Sequence, residues 1–225
     1  HFWLQVLPAA GGDHRAELQE AMMRDRLEKY PDDFNANYTI GDILLNRGKA
    51  ADAVSYFQTA LKTNPASVIA ATELGVALFT AWRLEEAELQ FQLALQLDPT
   101  YTDARFDLAS VEAARKEWDK AAADFSQVLK ERPDSAKAHQ HLGEVLFLWG
   151  NDLAEAGKDA DAAQRYQEAI NLRPQDAELH GRLGVALGRM GKLAEAQSEL
   201  EAALRIDPTL EPAKRALEIV KSRMK

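Results

Sequence analysis

Residues 68–101 read VIAATELGVALFTAWRLEEAELQFQLALQLDPTY, and this one stretch sets the architecture. Its first half carries Ala71, Leu74, Gly75 and Leu78 at the spacing of one helical face. A second helical pattern runs from Glu85 to Leu97 and stops at Pro99, because proline lacks an amide hydrogen and clashes with the preceding turn. The plan recurs along the chain. Pro31, Pro65, Pro99, Pro133, Pro174 and Pro208 follow one another at spacings of 34, 34, 34, 41 and 34. Small residues recur in phase at Gly41, Gly75, Ala109 and Gly184, with Gly143 in the longer unit. So do Ala53, Ala87, Ala121, Ala162 and Ala196, and the bulky series Phe57, Phe91, Phe125, Tyr166 and Leu200. Gly48-Lys49, Gly157-Lys158 and Gly191-Lys192 mark turns between the two patterns. A fixed period of this size signals stacked helix pairs, since one pair cannot bury its apolar faces alone.

The small residue, the alanine, the aromatic and the closing proline together resemble the tetratricopeptide repeat family. The resemblance implies an all-α, right-handed α-α superhelix of five repeats with terminal capping helices, about twelve helices in all. Its units are 34–67, 68–101, 102–135, 136–176 and 177–208, within a repeat region of 34–208. A half-repeat capping helix is expected over 14–33 and a last capping helix over 209–225, following an apolar tail and linker at 1–13. There are departures. The family's tryptophan-like position is Asn37, Ala71, Arg105, His139 and His180, and Ala109 and Glu112 depart from the usual glycine and large apolar residue. The fourth unit has seven additional residues, two turns of helix, so one long helix from about Ala136 to Ala156 with Gly150 inside it is expected. A loop at 150–156 is the alternative.

The chain of 225 residues is 46% hydrophobic and 28% charged, alanine-rich, and carries a net charge of −9 with no cysteine. Thiol chemistry, disulfides and cysteine-ligated metals are thereby excluded. The acidic balance argues against phosphate backbones and anionic membrane surfaces. No stretch approaches the roughly 20 apolar residues of a membrane span. A soluble protein, cytoplasmic or periplasmic, is expected. His1–Pro8 (HFWLQVLP) lacks a basic leader and does not read as an intact signal peptide. Its apolar group is expected to pack on a groove, its own or a neighbour's, which allows self-association through residues 1–10.

No catalytic constellation is apparent. His139 and His141 lie about 200° apart on one helix and cannot share an ion. His139 and His180 read as packing residues, and neither metal nor cofactor is expected. Gly181, Gly184, Gly188 and Gly191 lack phosphate-loop spacing. Gly181 and Gly188 read either as tight packing or as a floor for a ligand backbone.

The second, fifth, ninth and twelfth residues of each first helix form one stripe. In the family this stripe faces the concave side, which implies a protein or peptide held in the groove. The expected binding residues are Tyr38, Asp42, Thr72, Glu73, Val76, Phe79, Phe106, Asp107, Gln140, His141, Glu144, Phe147, Arg182 and Arg189. Phe79, Phe106 and Phe147 read as exposed anchors, the alternative being that they fold inward between adjacent first helices. The stripe is acidic early and basic towards Arg182, Arg189 and Arg215. Repeat domains that hold chaperone C-termini share a carboxylate clamp of lysines, asparagines and an arginine. Its phases here read Tyr38 and Asp42, Thr72 and Val76, Phe106 and Ser110, Gln140 and Glu144, with Lys137 and His141 as partial matches, so no clamp is expected. The expected function is a protein–protein interaction scaffold. The alternatives are the non-catalytic repeat domain of a larger enzyme and a structural piece of a cell-envelope assembly.

Overall fold

The computed structural model describes residues 12–225, with side chains from 17 onward. The expected docking of HFWLQVLP lies outside the described residues. Among these, twelve helices and no strand are found. They divide into two compact units, His1–Val111 and Glu112–Lys225.

The first unit holds α1 (Gly12–Lys29), α2 (Phe34–Asn46), α3 (Ala50–Thr63), α4 (Val68–Thr80), α5 (Leu84–Leu97) and most of α6 (Thr102–Ala114). Helices consecutive in sequence pack together from α1 to α5. The small residues explain the closeness. A Cβ added at Gly41 would stand 2.9 Å from the Phe57 ring, and one at Gly75 would stand 2.6 Å from the Phe91 ring. Both rings are fully buried, as are Ala53, Ala60, Ala87 and Ala94.

The second unit holds the end of α6, then α7 (Trp118–Glu131), α8 (Ala136–Glu155), α9 (Asp159–Leu172), α10 (Ala177–Arg189), α11 (Leu193–Ile206) and α12 (Glu211–Arg223). Here too each helix from α7 packs on the next, and α12 also packs on α10. The seven additional residues lie within α8, which has 20 residues where α10 has 13. One correction follows. Gly150, not Gly143, meets the ring at the repeat's aromatic position: a Cβ there would stand 2.6 Å from Tyr166, whereas Gly143 faces the Arg173 side chain. Two whole turns separate the two glycines, so both lie on one stripe, and α9 pairs with the distal half of α8. Trp118 anchors that half by donating its indole N–H to Asp152 (2.9 Å).

The ends of the helices repeat as faithfully as the packing. Asp33, Ser67, Ser135 and Asp176, each two residues after a proline, accept backbone N–H groups of α2, α4, α8 and α10. The tryptophan-like position is also used polarly. Asn37 Nδ2, Arg105 Nη2 and His180 Nε2 each meet the carbonyl of the proline six residues earlier, at 2.9, 2.9 and 3.1 Å.

Candidate partner-binding face

The first helices of the first unit bring several stripe residues together. Tyr38 stacks on Phe34 (6.0 Å) and meets Phe57 edge-on (5.7 Å). Asp42 lies one turn further along α2, and Glu73 on α4 feels its charge. Burial, then Asp42, raises the Glu73 carboxyl above its ordinary value. Burial, then Glu73, Asp42 and Tyr101, pushes the Tyr38 phenol up to about 12. Neither Asp42 nor Glu73 has an ion pair or hydrogen bond among the described residues. Two carboxylates therefore face one another on a half-buried surface with no cation between them. Phe106 and Asp107 on α6 are half-buried.

Three expectations for this unit need correction. Thr72 is buried at 4% exposure and donates its hydroxyl to the Val68 carbonyl (2.9 Å), so it presents nothing to a partner. Phe79 is half-buried and packs, with Val76, against the core of the unit. Phe106, half-buried likewise, is not an exposed anchor either. Thr72 is taken up by its own helix and Phe79 by the core of the unit, so neither is left free as the spacing alone suggests.

In the second unit, Gln140 and Glu144 are exposed on α8, while His141 is half-buried and stacks on Phe125 (5.6 Å). Phe147 is half-buried against Tyr166 (6.3 Å), again short of the exposure expected. Arg182 and Arg189 are exposed on α10, paired with Glu178 (3.1 Å) and Asp159 (3.4 Å). They border a cavity of about 120 Å³ that Asn151, Glu155 and Tyr166 also line. The Tyr166 hydroxyl donates to Asn151 Oδ1 (2.8 Å). Gly181 and Gly188 do not form a ligand floor. Leu210 lies 3.5 Å from a Cβ placed at Gly181, and Val220 of α12 lies 3.4 Å from one at Gly188, so the glycines seat the C-terminal segment. His139 and His180 are engaged locally, His139 with the Ser135 carbonyl (3.0 Å) and His180 with Glu199 (2.7 Å). Among the described residues no group of three His, Asp or Glu could hold a metal, and no helix is long and apolar enough to cross a membrane.

Stacked helix pairs with this residue code define a helical-repeat protein. Tetratricopeptide-repeat profiles match residues 27–102, 83–140 and 177–210, and a TPR-repeat profile matches 150–191. The chain belongs to the tetratricopeptide repeat family. Superkiller protein 3 of Schizosaccharomyces pombe is 27% identical over 77% of this chain and 13% of that protein. Human protein O-mannosyl-transferase TMTC1 is 26% identical over 75% of this chain and 19% of that protein. The chain thus spans a small part of the length of these relatives. In fold it is similar to YrrB, described as a TPR protein with an unusual peptide-binding site, with a TM-score of 0.63 at 17% identity over 87% of this chain and 97% of the other. The family and fold support a protein-interaction scaffold, and the fold is in general a non-catalytic one.

Proposed function

We propose that the first-helix face holds a peptide or an extended partner segment, with a lysine or arginine of that segment between Asp42 and Glu73. The observation that carries this reading is the unpaired carboxylate pair. A partner cation there would offset the burial and the Asp42 charge that raise Glu73 and would gain a charge-assisted hydrogen bond in a half-buried place. Val76, Phe79 and Phe106 supply partly exposed apolar contact beside it. In the second unit, taken by itself, an acidic side chain or a terminal carboxylate suits Arg182 and Arg189, which now pair with the exposed Glu178 and the half-buried Asp159.

Selection from a library of displayed peptides on the whole chain tests this. Enriched peptides should combine apolar residues with a basic one. Phe79→Ala with Phe106→Ala should weaken them by about 1 to 3 kcal/mol per residue. Asp42→Lys with Glu73→Lys should abolish the preference for a basic residue and weaken the salt dependence of binding. If the selected peptides bind both double variants as they bind the wild type, the face is not the site. A second reading, the repeat domain of a larger enzyme, draws on the named transferase among the relatives and on the small share of it that this chain spans. In that reading the same face recruits the protein on which chemistry is done elsewhere.

A further inference from the structure

Five turns join a first helix to its second, and each contains one residue with positive φ: Gly48 (73°), Trp82 (60°), Lys116 (59°), Gly157 (74°) and Gly191 (80°). Glycine enters that region freely, whereas a bulky side chain there is a genuine outlier. At Trp82 the backbone closes as it does at the glycine turns. Arg83 N–H reaches the Leu78 carbonyl (2.8 Å), just as Lys49 N–H reaches that of Leu44 (2.9 Å). The tryptophan adds nothing to this closure. Its side chain is 71% exposed and makes no hydrogen bond or ring contact among the described residues. A strained backbone and an indole left in water are two costs at one position, with no return inside the first unit. Strain of this kind collects at recognition sites, and tryptophan is the residue most enriched among binding hot spots.

The second unit offers a place for an indole. Helices α7, α8 and α9 enclose a groove of about 430 Å³, floored by Leu142, Leu146 and Trp149. It lies beside the proximal half of α8, with Glu168, Asn171 and Leu172 of α9 on its far wall. The Arg165 guanidinium already lies 4.6 Å from the Trp149 ring centre, so the groove is arranged for stacking. Asp119 on its rim is exposed and has no partner. Arg83, which follows Trp82, carries the opposite charge and is held only by an exposed pair with Glu86 (2.7 Å), which an incoming carboxylate can share.

We propose that Trp82 of one copy seats in the α7–α8–α9 groove of a second copy, with Arg83 meeting Asp119. The contact joins two different patches, so it is head-to-tail. Each copy keeps one unused Trp82 or one unused groove, and the assembly grows with concentration.

Sedimentation of the full chain and two variants tests this. Trp82→Gly restores the residue of the other turns and removes the knob. Ala123→Arg places a long side chain in the groove from an exposed position on its lining. The wild type should associate reversibly towards millimolar concentration, and each variant should weaken this by about tenfold or more. Trp82→Gly should melt no lower than the wild type, which separates recognition from folding. An equimolar mixture of the two variants keeps one working knob and one working groove, and should form a dimer that grows no further. A wild type that stays monomeric overturns the proposal. So does a Trp82→Gly chain that associates like the wild type, as it would if residues 1–10 made the contact, or a mixture that stays monomeric.

Discussion

The two units solve the same packing problem with first helices of different length. In the first unit α4 has 13 residues, and Gly75 sits under the Phe91 ring. In the second, α8 has 20 residues, and the equivalent contact is made by Gly150 under Tyr166, while Gly143 lies two turns earlier. The fold tolerates the extension because seven residues advance the helix by about 700°, within about 20° of two full turns. What must be kept is phase, not length. The consequence for the face is a change of register. Counted from the start of α8 the stripe reads Lys137, Gln140, Glu144 and Phe147. Counted from its end it reads Glu144, Phe147, Asn151 and Ala154. The face of the second unit is therefore longer than the repeat code specifies, and Asn151 joins Arg182 and Arg189 around one cavity.

The most severe way to break this comparison is to change the phase. Removing residues 143–149 leaves Gly150 in the place of Gly143 and keeps the stripe aligned. Removing only 143–147 rotates everything after it, Gly150 and Tyr166 together, by about 140° relative to the start of α8 that packs on α7. The seven-residue deletion should still fold cooperatively by circular dichroism and urea titration. The five-residue deletion should lose the cooperative transition of the second unit altogether. If the two deletions behave alike, phase is not what the extension preserves.

The ring contacts come next. Phe91 is fully buried, and Phe91→Ala should cost about 3–5 kcal/mol in urea unfolding through lost burial and the cavity left behind. Tyr166 is nearly as buried, but its ring is also tied by the hydroxyl bond to Asn151. Tyr166→Phe should cost about 1 kcal/mol, the net worth of such a bond, and Phe91→Tyr has no matching acceptor to gain. Equal stabilities for Tyr166→Phe and the wild type would show that the hydroxyl adds nothing to the second unit.

Most of this was legible in the sequence, and the parts that were not share a cause. The prolines placed the helix pairs because proline acts on the backbone directly, through a missing donor and a clash. The caps at Asp33, Ser67, Ser135 and Asp176 were equally readable, each standing two residues after a proline. Side-chain exposure was not. A stripe drawn by spacing alone treats Thr72, Phe79 and Gln140 alike, yet Thr72 is buried, Phe79 half-buried and Gln140 exposed. Thr72 is tied to the Val68 carbonyl and Phe79 lies on the core of the first unit, contacts that residue spacing does not encode. Tyr101 reaches the acidic cluster from a turn rather than from a first helix, so no helical stripe contains it. Trp82 and Lys116 carried a signal that could have been used: each falls at the repeat position of Gly48, Gly157 and Gly191.

That shared position gives a smaller test. Lys116 has φ 59° and is 3.5 Å from Asp152, an exposed pair worth little. Lys116→Gly should stabilise the second unit by about 1 kcal/mol, the usual relief when glycine takes a left-handed site. Gly157→Ala, made in the same unit, should destabilise it by a similar amount, because its φ is 74° although nothing stands within 4 Å of the added methyl group. Opposite signs from the two substitutions would assign the effect to backbone conformation. A destabilising Lys116→Gly would assign it to the ion pair instead.

The smallest effect expected is on pH dependence, and its sign separates the units. Burial and Asp42 raise the Glu73 carboxyl, so the folded first unit holds that proton more tightly than the unfolded chain does. Where the folded state binds more protons, stability falls as pH rises. The penalty is absent below the unfolded carboxylate value near 4.5, grows as pH climbs through the raised folded value, and is complete above it. Glu73→Gln removes the penalty. The variant should melt at the wild-type temperature in acid and slightly higher at neutral pH, with the difference opening across the carboxylate range. Glu201 in the second unit is a control of opposite sign, since hydrogen bonds from Gln197 and Lys221 hold its carboxyl below the usual range. Glu201→Gln should leave acid stability unchanged and lower it, if at all, at neutral pH. A cation supplied by a bound peptide would cancel the Glu73 penalty, so peptide binding at a pH within that range should release protons, measurable as a buffer-dependent heat of binding. Identical heats in buffers of different ionisation enthalpy would place the peptide away from Glu73.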